Sequence, residues 1–129
     1  YEICACLVGS EMCIRDRWLA GIKPVKIIID PSAASFIAEL KKRGYAIKKA
    51  KNDVLDGIRF VASLLNQGKI AISDQCPNTI KEFGSYIWDQ KASERGEDKP
   101  VKQHDHAMDA LRYFCYTIIR KPGSIGILK

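Results

Sequence analysis

Several features that define common protein classes are missing from this sequence. None of its apolar runs approaches the roughly 20 residues that span a bilayer, and no basic segment leads an apolar stretch as in a signal peptide. The glycine-rich phosphate loop GxxxxGKS/T does not occur, so ATP hydrolysis is not expected. Five cysteines are present without any CxxC pair, which indicates neither a zinc site nor a disulfide framework. We therefore expect a cytosolic protein with reduced thiols.

The composition that is present indicates a single globular domain. A chain of 129 residues with 47% hydrophobic content is long enough for one core and short for two. The formal net charge of +6 and the pI near 9.1 favour an acidic partner such as nucleic acid. A basic surface without such a partner would have the same charge, so charge alone leaves both interpretations open.

The first seventeen residues differ in character from the rest of the chain. They hold three of the cysteines and show no clear period, and ordinary amphipathic sequence begins at Trp18. The segment GSEMCIRDR resembles the translated sequencing-adapter read-through that contaminates assembled genes. We therefore treat residues 1–17 as a non-native segment and residues 18–129 as the domain, with a genuine N-terminal strand as the alternative.

The segment from Val25 to Ile72 predicts strands that alternate with helices. Strands are expected at Val25–Ile29, Tyr45–Ala50 and Lys69–Ile72, because these runs are apolar or β-branched and of strand length. Between them lie two amphipathic helices, the first capped by Ser32 and ended by Gly44, the second capped by Asn52 or Asp53 and ended by Gly68. Such alternation predicts an α/β domain with a mainly parallel sheet.

The second half of the chain predicts two further helices around a polar segment. One helix opens at Cys76-Pro77 and ends near Trp88, with Ile80, Phe83 and Ile87 on its apolar side. Residues 89–103 carry many charges and almost no apolar side chain, so a solvated loop or flexible hairpin is expected. The last helix runs from about His104 to Ile119.

The last helix carries the clearest chemical signal. Its apolar residues fill one half of the helical wheel, and Asp105 and Asp109 lie one turn apart on the polar half. His106 and Arg112 lie three residues to either side of Asp109. Two carboxylates and an imidazole suit Mg²⁺ or Mn²⁺. The alternative is structural: aspartates favour helix N-termini, and Asp109 with Arg112 could form an ordinary surface ion pair.

Asp30 provides a second acid from a distant part of the sequence. It follows a strand, and open α/β sheets place their ligands at the C-terminal ends of strands. Asp30 and the acids of the last helix could therefore converge. An Asp-Pro step that only forms a turn is the alternative.

Two segments resemble signatures of the nuclease domain of phage terminase large subunits. These are IIIDPSAASF, which contains Asp30, and HDHAMDALRY, which contains Asp109; the stretch between Gly68 and Trp88, with Glu82 and Tyr86, is similar as well. The resemblance implies an RNase H-like layered domain, a mixed sheet flanked by helices and lacking its first strands. It also implies two divalent ions, Mg²⁺ or Mn²⁺, that direct water onto a DNA phosphodiester.

The resemblance further implies roles for individual residues. Asp30 and Asp109 would be metal ligands and catalytic acids, and His106 a nearby ligand or helper. Asp105 would be an additional ligand, a helix cap or a group that orients a ligand from behind. The family's first acidic ligand has no counterpart in this sequence, so weak or no cleavage is expected of these residues alone.

The resemblance implies partners and leaves other function classes open. Double-stranded viral DNA would be the substrate and, in the full-length protein, the portal and small terminase subunit the partners, in the cytoplasm of a bacterial host. The basic residues Lys48, Lys49 and Lys51 could form part of a DNA track or only a solvated face. Tyr86 and Trp88 are expected to anchor loops or the core. Another RNase H-like nuclease, of resolvase or transposase type, and a non-catalytic α/β binding module are the alternatives.

Overall fold

A computed structural model of the chain describes residues 24–120. The prediction that residues 1–17 are non-native lies outside these residues. Within them, no helix is long and apolar enough to cross a membrane.

The N-terminal part of the described chain is a parallel β-α-β unit. Strand β1 (Ile27–Ile29) pairs in parallel with β2 (Ile47–Lys49), with Ile27 opposite Ile47, and helix α1 (Ala34–Lys42) connects them. Gly44 adopts a φ of 84°, a left-handed conformation that allows the chain to leave α1 and turn back into β2. The predicted parallel pairing of the first two strands is therefore confirmed.

A first hydrophobic cluster packs α1 onto the two strands. Ile29, Ile37 and Leu40 are buried at its centre, and Ile27, Phe36 and Ile47 pack against them. The helix contributes residues at i, i+3 and i+4 spacing, so one face meets the sheet. This contact fixes the C-terminal end of β1, where Asp30 follows.

The C-terminal part of the described chain is a helical layer. It contains α2 (Val54–Asn66), α3 (Pro77–Ser85), the short α4 (Gln90–Glu94), α5 (His106–Phe114) and a π-helical turn (Cys115–Ile119). A second cluster, with Leu64, Leu111 and Cys115 buried at its centre, joins α2 to α5 and the π-helical turn. The two parts are tied together where the backbone N–H of Lys51 donates to Thr117 Oγ1 at 2.9 Å.

Three predicted element boundaries are wrong. Residues 69–72 are irregular chain and no strand, because Ile70 and Ile72 pack against the second cluster. Helix α3 ends at Ser85 instead of Trp88, and Tyr86 takes an extended conformation there. Residues 89–103 are more ordered than a solvated loop, since they include α4 and a bridge between Trp88 and Pro100.

The start and the end of two helices also differ from expectation. Ala33 occupies the N-cap of α1, because the hydroxyl of Ser32 donates to Asp30 and is not directed into the helix. The last regular helix begins at His106 and gives way after Phe114 to the π-helical turn, in which Arg120 N–H donates to the carbonyl of Cys115.

Candidate active site

Asp30 is held at the end of β1 by donors from two elements. Its Oδ1 accepts hydrogen bonds from the N–H of Ser32 at 2.8 Å and from the Ser32 hydroxyl at 2.6 Å, and its Oδ2 accepts one from the Tyr113 hydroxyl on α5. Burial opposes ionisation of Asp30, but these bonds and the charge of Arg112 outweigh it and lower its pKa. Asp30 thus forms the predicted turn and also contacts the helix that carries Asp109.

Tyr113 connects the two predicted acids. Burial, the hydrogen bond to Asp30 and the nearby charge of Asp109 all raise the pKa of Tyr113. The phenol therefore stays protonated and donates to Asp30 throughout the physiological range. The electrostatic influence of both acids on one hydroxyl shows that the end of β1 and the polar face of α5 meet.

Arg112 positions Asp109 from within the protein. Its side chain is 3% exposed, and its Nη2 lies 2.7 Å from Asp109 Oδ1. Its Nη1 donates to the backbone carbonyls of Asn52 at 3.1 Å and Asp53 at 3.3 Å. The expected surface ion pair is therefore wrong: Arg112 crosses from α5 to the start of α2, and its planar guanidinium fixes the carboxylate of Asp109.

Gly57 makes room for this arginine. A Cβ placed on Gly57 would lie 2.7 Å from Arg112 Cγ and 2.8 Å from Cδ. Contacts this short do not occur for real Cβ atoms, so the aliphatic stem of Arg112 crosses α2 at a residue that must lack a side chain.

Lys102 brings Asp105 and Asp109 together at one cation. Its Nζ lies 3.4 Å from Asp105 Oδ2 and 3.4 Å from Asp109 Oδ2. Asp105 is 7% exposed, and its Oδ2 accepts no hydrogen bond from any residue in the range 24–120. The two carboxylate oxygens therefore share a positive charge without saturating it.

Glu82 fixes the N-terminus of α5 from another helix. Its Oε2 accepts hydrogen bonds from the N–H groups of Ala107 at 2.7 Å and Met108 at 3.2 Å. These are among the amides that have no partner within a helix, and an acid there also complements the helix dipole. Sequence reasoning missed this role, because Glu82 lies on α3 and nothing local links it to α5.

The remaining predicted residues lie on the surface. His106 is exposed at the first position of α5, and Lys48, Lys49 and Lys51 are exposed on and after β2. Within residues 24–120, no three His, Cys, Asp or Glu side chains lie close enough to form a metal-binding group. The structure thus brings Asp105 and Asp109 to one cation and links Asp30 to Asp109 through Tyr113 and Arg112, while His106 stands apart.

The parallel β-α-β unit with helices flanking the sheet defines an RNase H-like α/β domain. A family profile described as the terminase RNaseH-like domain matches residues 21–116, and the chain belongs to that family. This confirms the resemblance found in the two sequence segments.

Relatives among phage terminases support this assignment. The large terminase subunit of Escherichia phage T5 is 35% identical over 99 residues, which cover 74% of this chain and 23% of that protein. Structures of the large terminase from a thermophilic bacteriophage, one in complex with ADP, share 52% identity and superpose with a TM-score of 0.77. That match covers 84% of this chain and 28% of the thermophilic phage protein. The chain thus spans about a quarter of the length of these relatives.

Proposed function

We propose that this chain provides part of a metal-dependent DNA endonuclease domain that cuts concatemeric viral DNA during packaging. The observation that carries the proposal is the meeting of Asp30, at the end of β1, with the Asp109 face of α5 through Tyr113 and Arg112. Acids from two distant elements are held there by buried or half-buried donors. Such preorganisation suits groups that bind a metal and a phosphodiester.

The side chains in this region fit a hard divalent cation. Asp105 Oδ2 is a buried carboxylate oxygen that lacks a hydrogen-bond donor among residues 24–120, and Asp109 Oδ2 faces the same cation position. Carboxylate oxygens are preferred ligands of Mg²⁺ and Mn²⁺. We propose Asp30 and Asp109 as the acidic ligands of a site for two such ions, with Asp105 as an additional ligand and His106 as a ligand or proton carrier.

The residues around the acids would keep them in place during the reaction. Bound divalent ions activate water for attack on a phosphodiester and neutralise charge on the leaving oxygen. Arg112 holds Asp109, the Tyr113 hydroxyl holds Asp30, and Glu82 holds the start of α5. Each of these bonds removes freedom that the carboxylates would otherwise lose on binding.

The lysines of β2 are the proposed DNA contacts. Lys48, Lys49 and Lys51 are exposed and lie next to the Lys51–Thr117 hydrogen bond that joins β2 to the π-helical turn. Binding to phosphates needs positive charge without base recognition, and removal of a phosphate-binding lysine reduces the salt dependence of DNA affinity. Reversal of all three charges should therefore weaken duplex binding and flatten its salt dependence. Unchanged affinity at low salt would exclude these lysines from the interface.

The whole protein would use this activity within a packaging motor. We propose double-stranded viral DNA as the substrate, the portal and the small terminase subunit as partners, and the bacterial cytoplasm as the location. We also propose that residues 18–129 form the nuclease part and that residues 1–17 are foreign to it. The isolated chain should cleave DNA weakly, since the described residues contain no three-residue metal group.

Metal binding by the isolated chain tests the proposal directly. Thermal unfolding with and without millimolar Mn²⁺ should show a metal-dependent rise in midpoint, because a ligand that binds the folded state stabilises it. Asp109→Asn keeps the shape of the side chain and should abolish the rise. Asp98→Asn, which removes an equal charge from an exposed loop residue, should retain it.

The outcomes separate the proposed function from its alternative. A Mn²⁺ response that depends on Asp109 supports the nuclease. If neither metal nor Asp109→Asn changes the midpoint, the acids have only a structural role, as in a non-catalytic binding module. Strong Mn²⁺-dependent nicking of plasmid DNA by the pure chain would contradict the expected weak activity.

A further inference from the structure

Lys102 lies where a divalent cation between Asp105 and Asp109 would lie. Its Nζ is 3.4 Å from one oxygen of each acid. The side chain of Lys102 is 64% exposed, while those of Asp105 and Asp109 are 10% and 21% exposed. The ammonium thus reaches two fixed acids from the solvent side.

The acids have no other strong partner at these oxygens within residues 24–120. Asp105 Oδ2 is buried and accepts no hydrogen bond from the described residues, so its interaction with Lys102 is purely ionic. Asp109 Oδ2 makes its hydrogen bond to Lys102 at the long distance of 3.4 Å, whereas the other oxygen is held by Arg112 at 2.7 Å. A buried oxygen that lacks a donor is left ready for a better cation.

The two basic residues at this site differ in mobility. Arg112 is buried and tied to backbone carbonyls of α2, so it stays with Asp109. Lys102 precedes α5 and carries a flexible, largely exposed side chain that can swing into water with little loss of packing. Of the two, only Lys102 can leave when a metal arrives.

We propose that Lys102 is a built-in competitor for the metal ion at Asp105 and Asp109. The inference rests on the proposed function and adds a residue that sets metal affinity. Without metal, the ammonium keeps the two carboxylates from repelling each other. A divalent ion binds only by displacing it, so Lys102 lowers the affinity of the site.

Mn²⁺ titration of the complete 129-residue chain, followed by calorimetry and by the electron paramagnetic resonance of free Mn²⁺, tests this inference. Lys102→Gln should bind Mn²⁺ about three- to tenfold more tightly than the wild type, the range expected when two partly exposed ion pairs no longer need to be broken. Lys102→Arg keeps the charge and should stay close to the wild type. Lys99→Gln is the matched control, since Lys99 pairs with Glu97 at 2.8 Å and its removal changes the net charge equally.

Stability without metal provides a second readout. Lys102→Gln should lower the unfolding midpoint in metal-free buffer, because Asp105 and Asp109 lose their shared cation, and should enlarge the rise that Mn²⁺ produces. A purely structural lysine would give the first effect without the second.

The results separate this inference from the proposed function. Equal Mn²⁺ affinity for the wild type and Lys102→Gln would overturn the inference and leave the nuclease proposal standing. An equal gain in Lys99→Gln would also overturn it, since the effect would then reflect overall charge. Absence of Mn²⁺ binding in both the wild type and Lys102→Gln would overturn both.

Discussion

Substitution of Gly57 by alanine should destabilise this protein, although the same change usually stabilises a helix. Alanine in a helix interior is favoured over glycine by roughly 0.5–1 kcal/mol. Here the added Cβ would lie 2.7 Å from Arg112 Cγ, whereas ordinary contacts begin near 3.4 Å. Arg112 or α2 must therefore move by several tenths of an ångström.

The magnitude follows from the way in which Arg112 is anchored. Its guanidinium is held by Asp109 and by the carbonyls of Asn52 and Asp53, so the overlapping Cγ and Cδ cannot move without disturbing those bonds. Overpacking costs about 1–3 kcal/mol, and a weakened hydrogen bond to a charged group adds about 1.5–3 kcal/mol. After the gain in helix propensity, Gly57→Ala should lower the free energy of unfolding by about 1–3 kcal/mol.

Urea unfolding measured by circular dichroism tests this prediction with an internal control. Gly84 lies in α3, and a Cβ placed on it would meet no atom within 4 Å, so Gly84→Ala should raise the urea midpoint. Gly57→Ala should lower it by about 1 M at an unchanged slope. If Gly57→Ala stabilises the protein as much as Gly84→Ala does, the argument that Arg112 requires a glycine beneath it is wrong.

Two further predictions concern the acids that organise the site. Glu82→Ala removes the acceptor for the first amides of α5 and should lower the free energy of unfolding by about 1–2 kcal/mol, with faster hydrogen exchange at Ala107 and Met108, whereas Glu94→Ala on exposed α4 should not speed exchange there. Since the folded-state pKa of Asp30 lies below its ordinary value of 3.8, its charge stabilises the fold above that pH, and the stabilisation is lost as the pH falls through the folded-state pKa. Asp30→Asn should therefore show a shallower loss of stability on acidification, and an acid limb identical to that of the wild type would contradict the assignment.

The β-α-β unit could be predicted because each of its signals is local. The β-branched run before Asp30, the amphipathic face of α1 and the turn at Gly44 lie within a few residues of the structures that they determine. The strand predicted at Lys69–Ile72 failed for the opposite reason. Its alternating isoleucines are satisfied equally by a ladder or by packing against helices, and only the position of α2 and α5 decides between them.

The candidate site was predictable in its acids and unpredictable in their partners. Strand-end position indicated Asp30, and helical spacing indicated Asp105 and Asp109. The helical wheel placed Arg112 among polar surface residues, but it is buried, because its guanidinium finds acceptors on α2 that are remote in sequence. The wheel describes one helix and carries no information about what packs against it.

The sequence by itself determined the family, the local β-α-β path and the identity of the acids, because motifs and periodicity depend on neighbouring residues. Only the tertiary structure decided which groups hold those acids. Tyr113 reaches Asp30, Glu82 caps α5, and Gly57 leaves space for the arginine that grips Asp109. Each of these interactions joins residues from different elements, and their distances are set by how the helices pack, which no local pattern specifies.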